Sequence, residues 1–270
     1  MIPITHGSTP TLAPWLARRA ELPAVLVTAL DACAEAPVPQ AECADVLDLL
    51  VMLGCDAQTQ AAALWFALAQ AAPATYEAQA SSLAPELRRL VEGQQAAEKV
   101  WALHAQRSGA ASSEGLRRLL LAIIRDLRVV FVLLARQLAR MRTALALPEP
   151  ARTDLARLTR DIHAPLANRL GIWQLKWELE DLAFRYLEPD TYRRIARLLD
   201  ERREDRENFI RESLAELGKA LTAAGIRADL AGRPKHIYSI WKKMQRKALE
   251  FSDLYDIRAV RILVDSVADC

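Results

Sequence analysis

From residue 21 to residue 147, apolar side chains recur at helical spacing and are interrupted only by short polar or proline-bearing breaks. The clearest breaks are 34–39 (AEAPVP), Ala72-Pro73-Ala74 and 109–114. Ser112 and Ser113 are placed to cap a helix whose apolar positions are Leu116, Leu119, Leu120, Ile123 and Ile124. Pro148 and Pro150 close this block. From 151 to 217 the pattern stays helical but is more charged, with Arg193, Arg194, Arg197, Glu201, Arg202, Arg203 and Asp205 as a solvated face and Pro189 at a helix start. A hydrophobic content of 52% with only 6% aromatics and 9 Gly fits Ala/Leu-rich helical packing and argues against a β-sandwich.

With 270 residues the chain can bury a large core, and its net charge of +2 gives no global argument for a nucleic-acid partner. Cys33, Cys43, Cys55 and Cys270 lack the paired spacing of a zinc site and read as buried or idle thiols of a reducing cytosol. The start, Met1-Ile2-Pro3-Ile4-Thr5-His6, has no signal-peptide pattern. The greasiest stretch, 119–138, carries Arg125, Asp126 and Arg128 and is too charged to span a bilayer. A soluble, cytoplasmic protein without a membrane partner is expected.

The pattern changes near Gly225. Residues 226–230 form a short candidate strand, Gly232 and Pro234 supply a turn and a first helical position, and Ile237, Ile240, Trp241 and Met244 form the buried stripe of the next helix. Residues 257–264 (IRAVRILV) read as a strand covered on both faces. The expected fold is therefore mainly α: an all-α domain over 1–150, a helical continuation and linker over 151–224, and the start of an α/β domain over 225–270. A chain ending just after the first buried strand of a new domain is expected to continue beyond Cys270.

Two clusters bear on chemistry. Lys235, Ser239 and Lys243 are spaced to share one face near the start of a helix, Arg233 precedes them, and no acid follows before Glu250. The alternatives are a phosphate-binding helix and a basic solvated face. Asp256, at the entrance of the second strand, is either a hydrogen-bonded edge residue or a metal ligand.

These segments resemble the RelA/SpoT family of guanosine tetra- and pentaphosphate synthetases and hydrolases. The likeness extends over residues 164–181 (APLANRLGIWQLKWELED) and Phe184-Arg185-Tyr186-Leu187. Without the family this run is an amphipathic helix packed through Trp173, Trp177 and Phe184. The resemblance implies that the Gly232 region opens a synthetase domain, which moves pyrophosphate from ATP to the 3′-hydroxyl of GTP or GDP. It places Arg233, Lys235, Ser239 and Lys243 on the ATP phosphates, and Asp256 on Mg²⁺ with a second acid beyond the chain end. Arg233 and Asp256 take the catalytic role. It also implies the ribosome with uncharged tRNA as partners, through regions outside this chain.

Hydrolase members of that family carry a His-Asp metal site. In the matching run, residues 61–71 (AAALWFALAQA), Phe66 and Ala67 replace the ligand pair and Gln70 and Ala71 replace the acids. In residues 134–142 (LARQLARMR), Arg136 takes the place of a metal-binding Asp. A degenerate HD-type domain with no Mn²⁺ and no hydrolysis follows. Of the histidines, His6 lies in the start of the chain, His104 is isolated beside Arg107, His163 is structural, and His236 orients the turn. The expected protein is a RelA-like synthetase, inactive as this stretch alone. The alternatives are a SpoT-like bifunctional enzyme and a catalytically dead regulatory module.

Overall fold

A computed structural model describes residues 11–106, 126–201, 203–254 and 258–269. The expected helix after Ser112 and Ser113 lies outside them, as do His6, Asp256, Cys270 and the side chain of His104. The described fold is mainly α with a single two-stranded sheet. By contacts the chain divides into two compact units that meet between Leu179 and Glu180.

The first unit contains α1 (Ala13–Ala17), α2 (Ala24–Ala34), α3 (Gln40–Met52), α4 (Ala57–Ala71), α5 (Pro73–Ala80), α6 (Pro85–Gln106), α7 (Leu127–Thr143), α8 (Glu149–Leu158), α9 (Ala164–Arg169) and the beginning of α10 (Trp173–Leu187). The break at 34–39 lies at the junction of α2 and α3, and α4 and α5 are separated by Ala72 alone, with Pro73 the first residue of α5. Pro148 and Pro150 do more than end a block. Pro148 is the N-cap residue of α8 and Pro150 lies in its first turn, where a missing N–H costs nothing.

Helix α4 is the centre of this unit. Every residue from Thr59 to Leu68 is buried, which only a helix apolar nearly all round tolerates. Around it pack Leu26 and Leu30 of α2, Leu47 of α3, Leu90 of α6 and Leu133 of α7. The Asp56 carboxylate caps α4 through the Thr59 N–H at 2.7 Å, and Asp126 caps α7 through the Arg128 N–H at 2.9 Å. Arg128 then joins Asp126 and Glu86, both at 2.7 Å, and Asp56 at 3.4 Å, tying three helix starts together. Burial works to raise the Asp56 pKa, but the Thr59 hydrogen bonds and the Arg128 charge outweigh it and hold the carboxyl below its usual range.

Between α8 and α9 runs a π-helical turn, Thr159–His163. Its Thr159 hydroxyl accepts from Gln137 Nε2 and donates to the Leu155 carbonyl, both at 2.7 Å. His163 is fully buried with Nδ1 3.3 Å from the Leu158 carbonyl, and burial drives its pKa down to about 4. A neutral imidazole bonded to backbone in the core fits the structural part expected of it.

The second unit contains the rest of α10, α11 (Pro189–Glu201), α12 (Arg203–Ala223), β1 (Ala228–Pro234), α13 (Ile237–Lys247) and β2 (Arg258–Val264). Arg193, Arg194 and Arg197 are exposed on α11, as the charge pattern suggests. Gly225, at φ +73°, ends α12, with its own N–H on the Thr222 carbonyl and that of Ile226 on Leu221. Strands β1 and β2 pair antiparallel from Ala228 opposite Val264 to Pro234 opposite Arg258.

Two strand expectations need correction. The first strand does not stop at Leu230 but runs through Gly232-Arg233-Pro234, so Gly232 lies inside a strand and not in a turn. A Cβ on Gly232 would fall 2.1 Å from Cγ2 of Ile210 on α12, so glycine is needed for close approach of sheet to helix. The second strand is not covered on both faces: Ile262 is 41% and Leu263 51% exposed. These neighbours point to opposite sides, and a two-stranded sheet with few packed neighbours buries neither fully.

Candidate functional site

The basic cluster is positioned by α13. Ile240 and Met244 are buried, joined by the partly buried Ile237 and Trp241, so the expected apolar stripe is the one that anchors the helix. Phe184 of α10 is the hub of that anchor. Its ring centroid lies 4.7 Å from Trp241, 5.8 Å from Tyr238 and 6.0 Å from Tyr192. Of the other two expected packing aromatics, Trp173 is 47% exposed, 5.9 Å from Trp177 and under the Lys176 ammonium.

The helix does not begin at Pro234. Pro234 closes β1, His236 is the N-cap residue and Ile237 the first helical one. The start is set by tertiary structure: Asp181 of α10 accepts the Tyr238 N–H at 2.8 Å through Oδ1, and its Oδ2 lies 3.2 Å from His236 Nδ1. Lys235 therefore precedes the helix, where the spacing had placed it one turn before Ser239. Ser239 and Lys243, four apart within α13, do share a face. All three side chains are partly buried. Lys242 is exposed, with its ammonium 5.9 Å from the Tyr238 ring centroid. The backbone of Arg233 pairs with Ala259. Its side chain and Asp256 lie outside the described residues.

Asp181 was missed by sequence reasoning. It lies in the run 164–181, which reads from sequence only as an amphipathic helix packed through its aromatics, and only the return of the chain after β1 brings His236 and Tyr238 to it. The Tyr238 N–H at this helix start is accordingly taken by Asp181.

In the first unit Phe66, Ala67 and Arg136 lie together. Phe66 is fully buried, and the Arg136 guanidinium stacks over its ring at 4.3 Å from the centroid. Arg136 pairs with Glu98 of α6 at 3.2 Å and Glu42 of α3 at 3.4 Å. Only 13% of its side chain is exposed. The space left, bounded by Glu42, Cys43, Ala63, Ala67 and Arg136, is a cavity of about 10 Å³, at the lower limit of what a single water needs. Burial, with the Glu42 charge added, pushes the Cys43 thiol up to about 12 despite Arg136, so it is a protonated wall and not a thiolate ligand. Neither glutamate was singled out from sequence, because they come from helices far apart in the chain. Among the described residues no group of three or more His, Cys, Asp or Glu is gathered to hold a metal. Nor, among them, is any helix long and apolar enough to cross a membrane.

Comparison with known proteins gives matches over both units. Residues 37–173 match the HD domain family, and residues 232–270 match the region found in RelA / SpoT proteins. The chain is 44% identical over 229 residues to the GTP pyrophosphokinase of Escherichia coli (strain K12), covering 84% of this chain and 31% of that protein. It is 37% identical over 225 residues to the probable GTP pyrophosphokinase of Mycobacterium leprae, covering 83% and 28%. Over 159 residues it is 49% identical to the probable guanosine-3′,5′-bis(diphosphate) 3′-pyrophosphohydrolase of Synechocystis, covering 58% and 21%. The chain thus spans about a third of the length of the curated relatives it matches.

Proposed function

The chain belongs to the RelA/SpoT family as an amino-terminal portion, and from that premise we propose that it forms part of an enzyme that transfers pyrophosphate from ATP to the 3′-hydroxyl of GTP or GDP. In that reaction the ribose 3′-oxygen bonds to the β-phosphorus of ATP, the bond from that phosphorus to the α–β bridging oxygen breaks, and AMP leaves. Residues 1–150 are assigned to the hydrolase-type domain, 151–224 to the helical continuation and linker, and 225–270 to the start of the synthetase region. The contact division at Leu179 and Glu180 falls within the middle segment.

The observation that carries the reading is α13: a hydroxyl and an ammonium, Ser239 and Lys243, on one face of a helix held by Phe184 and Asp181, with Lys235 before it. On this assignment those groups and Arg233 bind the ATP phosphates and offset the charge of the transferring group. Asp256 is assigned to Mg²⁺, which when bound screens and aligns the polyphosphate. The second metal-binding acid, the guanine contacts and any contact with the ribosome and uncharged tRNA are assigned to regions beyond residue 270. A cytoplasmic location goes with those partners.

The hydrolase site is read as lost. At Phe66, Ala67 and Arg136 the cation is a covalently attached guanidinium whose carboxylates are Glu42 and Glu98, and a divalent ion there would meet repulsion. One similarity favours a second, bifunctional reading, since the Synechocystis relative is named a probable hydrolase. A third reading is a catalytically dead regulatory module. The test is synthesis of guanosine tetraphosphate from ATP and GTP by the full-length protein with Mg²⁺, alongside release of pyrophosphate from guanosine tetraphosphate with Mn²⁺. Synthesis without hydrolysis is expected. Manganese-dependent hydrolysis would establish the bifunctional reading, and neither activity would establish the module.

A further inference from the structure

We infer that Asp181 is a positioning residue for the ATP-binding helix, a part that rests on the phosphate reading of α13. A helix start leaves its first N–H groups without intrahelical partners, and a polar residue at the N-cap position usually supplies one from its own side chain. His236 occupies that position and makes no side-chain cap. The cap comes instead from α10, fifty-seven residues earlier in the chain than Tyr238: Asp181 Oδ1 takes the Tyr238 N–H at 2.8 Å while Oδ2 meets His236 Nδ1 at 3.2 Å. The carboxylate is 19% exposed and sits at the positive end of the helix dipole.

Three residues further along α10, on the same helix face, Phe184 packs against Tyr238 and Trp241. One face of α10 thus grips the first turn of α13 by a polar contact and an apolar one. Ser239 directly follows Tyr238, and Lys243 stands one turn on, so the aim of both toward a phosphate depends on this grip. The contact also fixes what the ligand can use. With the Tyr238 N–H committed to Asp181, phosphate oxygens must be met by the side chains of Lys235, Ser239 and Lys243 and not by that amide.

The experiment measures steady-state synthesis in the full-length enzyme, with hydrogen exchange of the peptide covering 237–243, for the parent protein and Asp181→Ala, Asp181→Asn and Lys243→Ala. Asp181→Ala is expected to raise KM for ATP about tenfold, as loss of a charge-assisted bond does, leave KM for GTP within about twofold, and speed exchange at the start of α13. Asp181→Asn keeps an oxygen for the Tyr238 N–H and should recover most of the ATP affinity. A general loss of structure would lower the active fraction without moving KM for one nucleotide alone. An ATP KM that is unchanged or lower in Asp181→Ala, while Lys243→Ala raises it, overturns the inference; a lower value would make Asp181 a carboxylate competing with phosphate. If Lys243→Ala leaves ATP binding unaltered, the phosphate reading itself falls, and the positioning role with it. Should Asp181→Ala not fold, Asp181→Glu decides in its place. It keeps the charge but moves the oxygens by one methylene, so a threefold or greater rise in ATP KM is expected, and no rise refutes the role.

Discussion

At Arg136 two carboxylates, Glu42 and Glu98, lie on the guanidinium and the Phe66 ring lies beneath it, whereas at the start of α13 the approaching carboxylate, Asp181, bonds to a backbone N–H and an imidazole. The cavity that borders the first cation has a volume of about 10 Å³. Around the second region Lys242, Arg246 and Lys247 stand exposed, with Ser239 and Lys243 on a partly buried face. The first region holds one cation and two carboxylates, whereas the second gathers several lysines and an arginine along one short helix. A buried cation surrounded by its own counter-ions and an aromatic ring is part of the core. Cations carried on the exposed side of a short helix remain within reach of solvent and of a ligand.

The comparison breaks first at Asp256. In the full-length protein Asp256→Asn is expected to lower synthesis about a thousandfold, equivalent to ~4 kcal/mol, with unchanged circular dichroism. Near-normal synthesis would remove the metal assignment and return the basic helix to a solvated face.

The structural role of the other cation is tested by Arg136→Ala, which leaves two glutamates and a cavity behind. A loss of about 3 kcal/mol in denaturant unfolding of the first unit is expected, much of it recovered when Glu42→Gln and Glu98→Gln are added. A loss under ~0.5 kcal/mol would mean that the cluster is ordinary surface charge.

The same unit should be acid-sensitive through His163. Its folded pKa of about 4 lies below the ordinary value of 6.5, so between these the unfolded chain binds a proton that the folded one does not. Stability from this group is therefore full above 6.5 and declines toward pH 4, by up to about 3 kcal/mol. His163→Gln should flatten that part of the curve in unfolding measurements at successive pH values.

On α13 the effects are smaller and local. Lys243→Ala is expected to weaken ATP about tenfold or more, a loss of ~1.5–3 kcal/mol. Lys242→Ala, rotated about 100° from it and resting on Tyr238, should change binding less than threefold. Equal effects of the two would show a diffuse basic face.

Much of this was legible in the chain. The helix breaks at 34–39, Ala72-Pro73 and Pro189 follow from proline chemistry, and the stripe of Ile237, Ile240, Trp241 and Met244 follows from the period of the helix. The replacement of acids and histidine by Phe66, Ala67 and Arg136 is visible as soon as the family pattern is laid over residues 61–71 and 134–142. What Arg136 does there is not visible, because Glu42 and Glu98 reach it from α3 and α6.

The start of α13 shows the same boundary from the other side. Gly232-Arg233-Pro234 suits a turn by local propensity, but pairing of Gly232 with Val260 and of Pro234 with Arg258 extends the strand through it. Local chemistry thus determined that a helix follows Pro234 and which of its faces is buried. Tertiary structure alone decided that it begins at Ile237, that Asp181 caps it, that Gly232 is required by Ile210, and that a guanidinium fills the place between Glu42 and Glu98. The physical reason is range. Propensity and periodicity act over a turn or two of chain, whereas hydrogen bonds, ion pairs and close packing are set by which distant segments the fold brings together.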